Sequence, residues 1–232
     1  MDLITTKLGF EMLLRWGHFM AGITWIGLLY YFNFVQTEYF KEADAASKSD
    51  AIQKLVPKAL WWFRWGAMFT LLTGIGIFAL RGGGMSMDIY VGALLGLFMF
   101  LNVWLIIWPN QQIVIASTKQ VAEGGDALPE AAAALASAGL ASRTNTLFSI
   151  PMLFFMGASS HYPHSFSLLA FVIAVAAIVA LEFNGAYPAI KHIDAFKKLP
   201  EGGNMKLYTS VNGVIHCGLG LTVILFLILD LL

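Results

Sequence analysis

Long apolar runs, separated by shorter polar stretches, set the pattern of this chain. Residues 10–35, 59–80, 88–108, a run beginning near Thr144 and continuing to His164, 165–183 and 208–232 each approach or exceed the length needed to cross a hydrocarbon layer. At 1.5 Å per residue, about 20 residues span a core of about 30 Å. The pattern predicts an all-α, polytopic integral membrane helical bundle of about six transmembrane helices, forming a single membrane domain over 1–232. Three polar segments, 36–58, 111–143 and 185–207, are the expected cytoplasmic connections. Within 111–143 the reading is a turn, a short Ala-rich helix beginning near Pro129 and another turn at Gly139. Pro109-Asn110 is expected to break the third span, and Pro151 to kink the fourth.

Composition agrees with the pattern: 58% of residues are hydrophobic, 12% are charged, and the mean hydropathy is +0.72. Fourteen basic residues balance fourteen acidic ones, which argues against a broad nucleic-acid-binding surface. Cys217 is the single cysteine, so no disulfide framework forms within one chain. The first nine residues contain Asp2 and one lysine and show no signal-peptide cleavage site, so the first apolar run is read as a retained anchor. Under six crossings, Lys or Arg at 41, 48, 54, 58, 64, 119, 143, 191, 197, 198 and 206 share one side, and 7, 15 and 81 lie toward the other. The positive-inside tendency then places both termini outside, the periplasmic side if the membrane is a bacterial inner membrane as the resemblance given below implies, with the lipid bilayer as the first partner.

Polar residues inside the apolar runs are the candidates for chemistry, because hydrocarbon offers them no partners. Arg15 and His18 share a helical face with Gly22, Trp25 or Ile26, and Leu29. Gly17 and Gly27 are expected to admit neighbouring helices, and Gly22 to leave room for a flat group. Imidazole is a common metal and haem ligand. His18 and His216, each about 12 Å from its own end of a span, form the leading axial or metal-ligating pair, with His161 and His164 as substitutes. With no Cys-x-x-Cys-His signal, such a haem would be non-covalent, of the b type. At the opposite end, Arg64, Asn110, Arg143, Asn145 and Glu182, with Asn33 and Asn184 nearby, suit a planar polar molecule or a quinone headgroup. Helix caps, interhelical bonds and interfacial anchoring of Arg64 are the structural alternatives. No Ser/His/Asp constellation and no HExxH motif supports hydrolysis.

Several stretches together resemble a known family. Arg15-Trp16-Gly17-His18, Gly22-Ile23-Thr24-Trp25-Ile26-Gly27 and Tyr31-Phe32-Asn33 carry it in the first helix. Asn102-Val103-Trp104, Trp108-Pro109-Asn110-Gln111, Arg143-Thr144-Asn145-Thr146, Ser149-Ile150-Pro151 and His161-Tyr162-Pro163 extend it. These segments resemble the membrane domain of bacterial cytochrome c-linked urate oxidases. The resemblance implies a haem-associated urate hydroxylase that converts urate to 5-hydroxyisourate and passes electrons to a cytochrome c. Full-length members carry a C-terminal cytochrome c domain; this chain shows none, so a separate cytochrome c is the expected acceptor. A cytochrome b-like quinone or respiratory-complex subunit, and a non-catalytic membrane scaffold, are the rival readings; a homo-oligomer is a further expectation. The haem reading predicts a reduced-minus-oxidised optical band in gently purified protein, lost or altered on replacing His18 or His216. Unchanged spectra in both variants would move the assignment to His161 or His164, and no band at all would remove it.

Overall fold

A computed structural model describes residues 2–190, 208 and 210–232. The basic connection expected at 185–207 therefore lies largely outside the described residues; 185–190 complete a helix. Every regular element described is helical: α1 (Asp2–Thr5), α2 (Lys7–Tyr30), α3 (Thr37–Glu42), α4 (Ala45–Lys54), α5 (Val56–Arg81), α6 (Met87–Leu101), α7 (Trp108–Ala122), α8 (Ala131–His161), α9 (Leu168–Ile190) and α10 (Val211–Leu231). Two π-helical segments, π1 (Tyr31–Gln36) and π2 (Asn102–Ile107), join α2 to α3 and α6 to α7 without a break.

Val56–Arg81, Met87–Ala122, Leu168–Ile190 and Val211–Leu231 are each long and apolar enough to cross a membrane, so the chain is built as a multi-pass membrane protein. Helices α2 and α8 have the length, 24 and 31 residues, but not the apolarity. Their exceptions have a physical setting. Helix α8 packs against α6, π2, α7, α9 and α10 and touches α2, so its neighbours shield Thr144, Asn145, Thr146 and Ser149 from lipid. Helix α2 lies along α5 and turns Trp16, Phe19 and Ile23 outward while burying Trp25, Ile26 and Leu29.

Small residues set the closest approaches, though not those the first helix suggested. A Cβ on Gly22 or Gly27 would meet nothing within 4 Å, and one on Gly17 only Thr73 Cγ2 at 3.5 Å. The tight side is α5, where a Cβ on Gly66 would stand 3.1 Å from the Trp25 backbone nitrogen. Gly66 thus lets two backbones meet, the usual role of small residues between membrane helices.

Two prolines behave differently from their expectations or refine them. Pro109 does not break the third span: α7 opens at Trp108 and continues to Ala122. A proline ring collides with the carbonyl four residues back and removes one amide. Here the turn before it has widened, so that the Trp108 amide donates to Val103, five residues back. The expected connection at 111–143 is correspondingly reduced, since α8 begins at Ala131 and passes Gly139 without a turn. Pro151 leaves α8 unbroken, but removes the amide that would serve the Leu147 carbonyl. Gly218 of α10 sits against that carbonyl, where a Cβ would fall 2.8 Å from the Leu147 oxygen and 2.6 Å from Ile150 Cδ1.

The helix ends gather in two groups. At one, Glu11 Oε1 accepts from Arg15 Nε at 2.8 Å and Arg81 Nε at 2.7 Å, tying α2 to the end of α5. Nearby elements close similarly: the Met87 amide donates to the His164 carbonyl, and Ser167 to the carbonyl of Leu232. At the other, Asn33 donates to Ser142 at 2.8 Å, and Arg143 to the carbonyl of Tyr208 at 2.8 Å.

Substituting Gly218 by Val is expected to force α10 away from α8 at the Pro151 notch. Overpacking of this kind typically costs about 1–3 kcal/mol. Thermal unfolding in a mild detergent should show a lowered midpoint for Gly218→Val and little change for Gly220→Val, where a Cβ meets nothing within 4 Å.

Candidate functional site

The four candidate histidines occupy separate environments. His18 is half-buried on α2, with Nδ1 3.0 Å from Thr73 Oγ1 of α5. His216 is exposed on α10, five residues inside the helix start, and its Nδ1 lies 2.7 Å from the Asn212 carbonyl oxygen. Helix α10 packs against α8 and α9, whereas α2 packs along α5, so the two rings belong to different helix pairs. His161 ends α8 in an exposed position, and the helix stops there before Pro163. His164 is buried: its backbone amide donates to Asp88 Oδ2, and its Nδ1 lies 2.8 Å from Asp88 Oδ1. Its Nε2 lies 3.7 Å from Asp230 Oδ1 and has no hydrogen-bond partner.

Among the described residues, no group of three or more His, Cys, Asp or Glu side chains is placed to hold a metal ion. A two-histidine haem site is a different arrangement from such a group, and its candidates His18 and His216 stand on helices that pack in separate pairs.

The polar residues of the opposite end divide between two cavities. The first, of about 520 Å³, lies among π1, α3, α4 and α5 on one side and α7 and α8 on the other. Arg143 lines it together with Lys41, Lys48, Asn33, Gln36, Gln111 and Ser142, and Phe32, Phe40 and Phe63 supply aromatic wall. No Asp or Glu is among its described lining residues. Asn33 is fixed by donating to the Leu29 carbonyl at 2.9 Å and to Ser142 Oγ. Gln36 Oε1 is buried without a hydrogen-bond partner. Buried acceptors in that condition are uncommon and call for an explanation. Lys41 also pairs with Glu38 at 2.7 Å, and Lys48 lies over the Phe40 ring, so both ammonium groups stand at the solvent edge.

The second cavity, of about 830 Å³, is lined by Asn110, Asn102 and Glu182 within an otherwise mostly apolar wall. Asn102 Nδ2 donates to Asn145 Oδ1 at 2.9 Å and to Glu182 Oε2 at 3.0 Å, and Asn145 Nδ2 donates to the Met99 carbonyl at 2.9 Å. Asn145 thus stands behind the cavity as a brace. Arg64 enters neither lining: its guanidinium lies 3.8 Å from the centre of the Trp108 ring and 5.1 Å from that of Trp104. Cation–π stacking holds it there, and its Nε is buried without a partner.

Of the five residues that the sequence suggested for a planar polar ligand, Arg143 faces one cavity, Asn110 and Glu182 the other, and Asn145 and Arg64 support the surrounding walls. Lys41, Lys48 and Gln36 were not visible as site residues. They read as solvated helix surface, and only the folding of π1, α3 and α4 over α7 and α8 turns them toward Arg143. The signal available in sequence was an asparagine within the first and third apolar runs, Asn33 and Asn102, both of which fall in π segments. Such segments are frequent at functional sites.

No curated protein and no solved structure matches the chain. A family profile described as urate oxidase N-terminal matches residues 83–209. That segment includes every described residue lining the second cavity, and it contributes Gln111, Ser142 and Arg143 to the first. Since the match covers more than half of the 232 residues, the chain belongs to the urate oxidase N-terminal family.

Proposed function

We propose that this protein is the membrane component of a urate-oxidising enzyme and that urate binds in the cationic cavity beside Arg143. The observation that carries the reading is the lining of that cavity: one arginine, two lysines, three carboxamides and no described carboxylate, in a chain of this family. Urate is flat, anionic at neutral pH and edged by alternating N–H and C=O groups. A guanidinium matches such an edge with parallel donors, a geometry lysine does not reproduce. Arg143 uses one N–H on Tyr208, and its remaining donors serve the anion. Gln36 supplies the acceptor that lacks a partner, suited to a purine N–H, and the phenylalanine walls cover the ring faces. Lys41 and Lys48 at the rim raise the local concentration of the anion.

The reaction in this reading adds water to urate and gives 5-hydroxyisourate, two electrons and two protons. The chain's own part is to orient the ring, balance its negative charge and limit the water that reaches it. The six long helices are read as six crossings, with both termini at the periplasmic face of a bacterial inner membrane and the urate cavity at the cytoplasmic end. The acceptor implied by the family resemblance is a separate cytochrome c.

Purified protein in nanodiscs is expected to bind urate and, with a soluble one-electron oxidant such as ferricyanide, to consume it. Arg143→Gln should weaken urate binding by about tenfold to a hundredfold, about 1.4–2.7 kcal/mol, and Arg143→Lys should recover only part of this. Equilibrium titration with urate checks both. Wild-type affinity in folded Arg143→Gln protein would remove the assignment.

A further inference from the structure

The second cavity lies back to back with the first. Neighbouring residues split between them, Ile107 and Ala138 facing the cationic cavity, Ile106 and Ser137 the other. One helix layer, about 10 Å across, separates the two. Their chemistry differs. The second cavity has no Lys or Arg among its described lining residues, while Glu130 and Glu182 both line it, so it suits an anionic purine poorly. Its wall includes Leu105 and Val179, which are 68% and 40% exposed on helices apolar enough to cross a membrane. The cavity therefore opens toward lipid and not only toward water.

Its polar atoms are few and held in place. Asn102 spends both amide hydrogens on Asn145 and Glu182, which fixes the carboxyl group and leaves its Oε1 for a ligand. Glu182 takes part in no ion pair among the described residues. Asn110 gives one hydrogen to the Ile106 carbonyl and keeps the other. A carboxyl group and an amide N–H at the buried end of an apolar chamber, with a mouth in the bilayer, match a flat ring bearing carbonyl oxygens and a hydrophobic tail.

We infer that this cavity binds a lipid-soluble quinone, with Glu182 and Asn110 on its ring oxygens. Binding follows from the cavity alone. Its use as the first electron acceptor, ahead of the separate cytochrome c, rests on the urate reading above, and there the reaction balances. Urate and one water release two electrons and two protons, and the quinone takes up two of each to become quinol, both new O–H bonds forming at its ring oxygens. Glu182 passes a proton to one of those oxygens and is reprotonated from the released pair.

The test uses the whole chain in nanodiscs with decylubiquinone as the probe. Binding is followed by quenching of tryptophan fluorescence, and an azido-quinone analogue maps the contact. Wild-type protein is expected to bind decylubiquinone and to carry the label on peptides from 98–113, 130–137 and 179–190. Ala186→Trp, which fills the cavity, should weaken quinone binding by about tenfold or more and leave urate affinity unchanged. Glu182→Gln should keep quinone affinity within about threefold and slow urate-driven quinol formation by about tenfold or more. Absence of quinone binding, wild-type affinity in folded Ala186→Trp, or labelling confined to other peptides would each overturn the site. Should Ala186→Trp fail to fold, the label on the wild-type chain decides. Urate consumption with ferricyanide but without quinone binding overturns this inference and spares the urate reading. Quinone binding at the mapped peptides with no urate consumption under either acceptor sustains the site and overturns the urate reading and the electron transfer that rests on it.

Discussion

A helix rich in polar residues can sit at the centre of an apolar bundle only when other helices supply the partners that water would have given it, and α8 is the helix in that position. Thr144, Asn145, Thr146 and Ser149 are fully buried on it. Each finds a bond inside the protein: Thr144, Thr146 and Ser149 donate back to carbonyls of their own helix, Asn145 joins Asn102 and Met99, and Ser149 also meets Tyr30. In hydrocarbon an unpartnered group of this kind costs several kcal/mol. The arrangement of α6, α7, α9 and α10 around α8 follows from that requirement. The Pro151 notch, closed by Gly218, shows how closely the wrapping helices must approach.

The same requirement separates the two cavities chemically. Among the described lining residues, Arg143 stands with amides and no carboxylate on one side of the α7 and α8 layer, and Glu182 with amides and no cation on the other. Opposite charges placed together there would neutralise one another and leave little for a ligand to balance. Kept apart by a layer of helix, each cavity keeps its own charge character. Membership of the urate oxidase N-terminal family gives that division a chemical context.

Much of the architecture was readable because lipid imposes so simple a rule on sequence. The apolar runs at 59–80, 165–183 and 208–232 all reappear as helices, with ends that differ by a few residues. What resisted reading was local competition within a helix. Pro109 next to Asn110 looks like a stop, yet the wider turn at π2 takes up the lost amide and lets the helix continue. Gly139 looks like a turn, yet it lies inside α8, whose neighbours hold its conformation. The histidines show a different limit. Periodicity places His18 and His216 on helix faces, but whether those faces meet depends on the order of helices around α8, which spacing along the chain does not encode. Arg143 and Asn33 were legible as polar exceptions near one end, whereas Gln36, Lys41 and Lys48 became part of the same cavity only through the fold.

The π segments have a consequence for how the two halves of each long helix are oriented. A π turn holds one residue more than the α turn it replaces, and one residue corresponds to about 100° of rotation about the helix axis. Residues before and after π2 are therefore out of phase with a single continuous stripe. The outward face of α6 and the cavity-facing side of α7 are set independently, though both belong to one unbroken rod. A helix with this dislocation can keep its greasy side toward lipid along one half and aim amides at a ligand along the other.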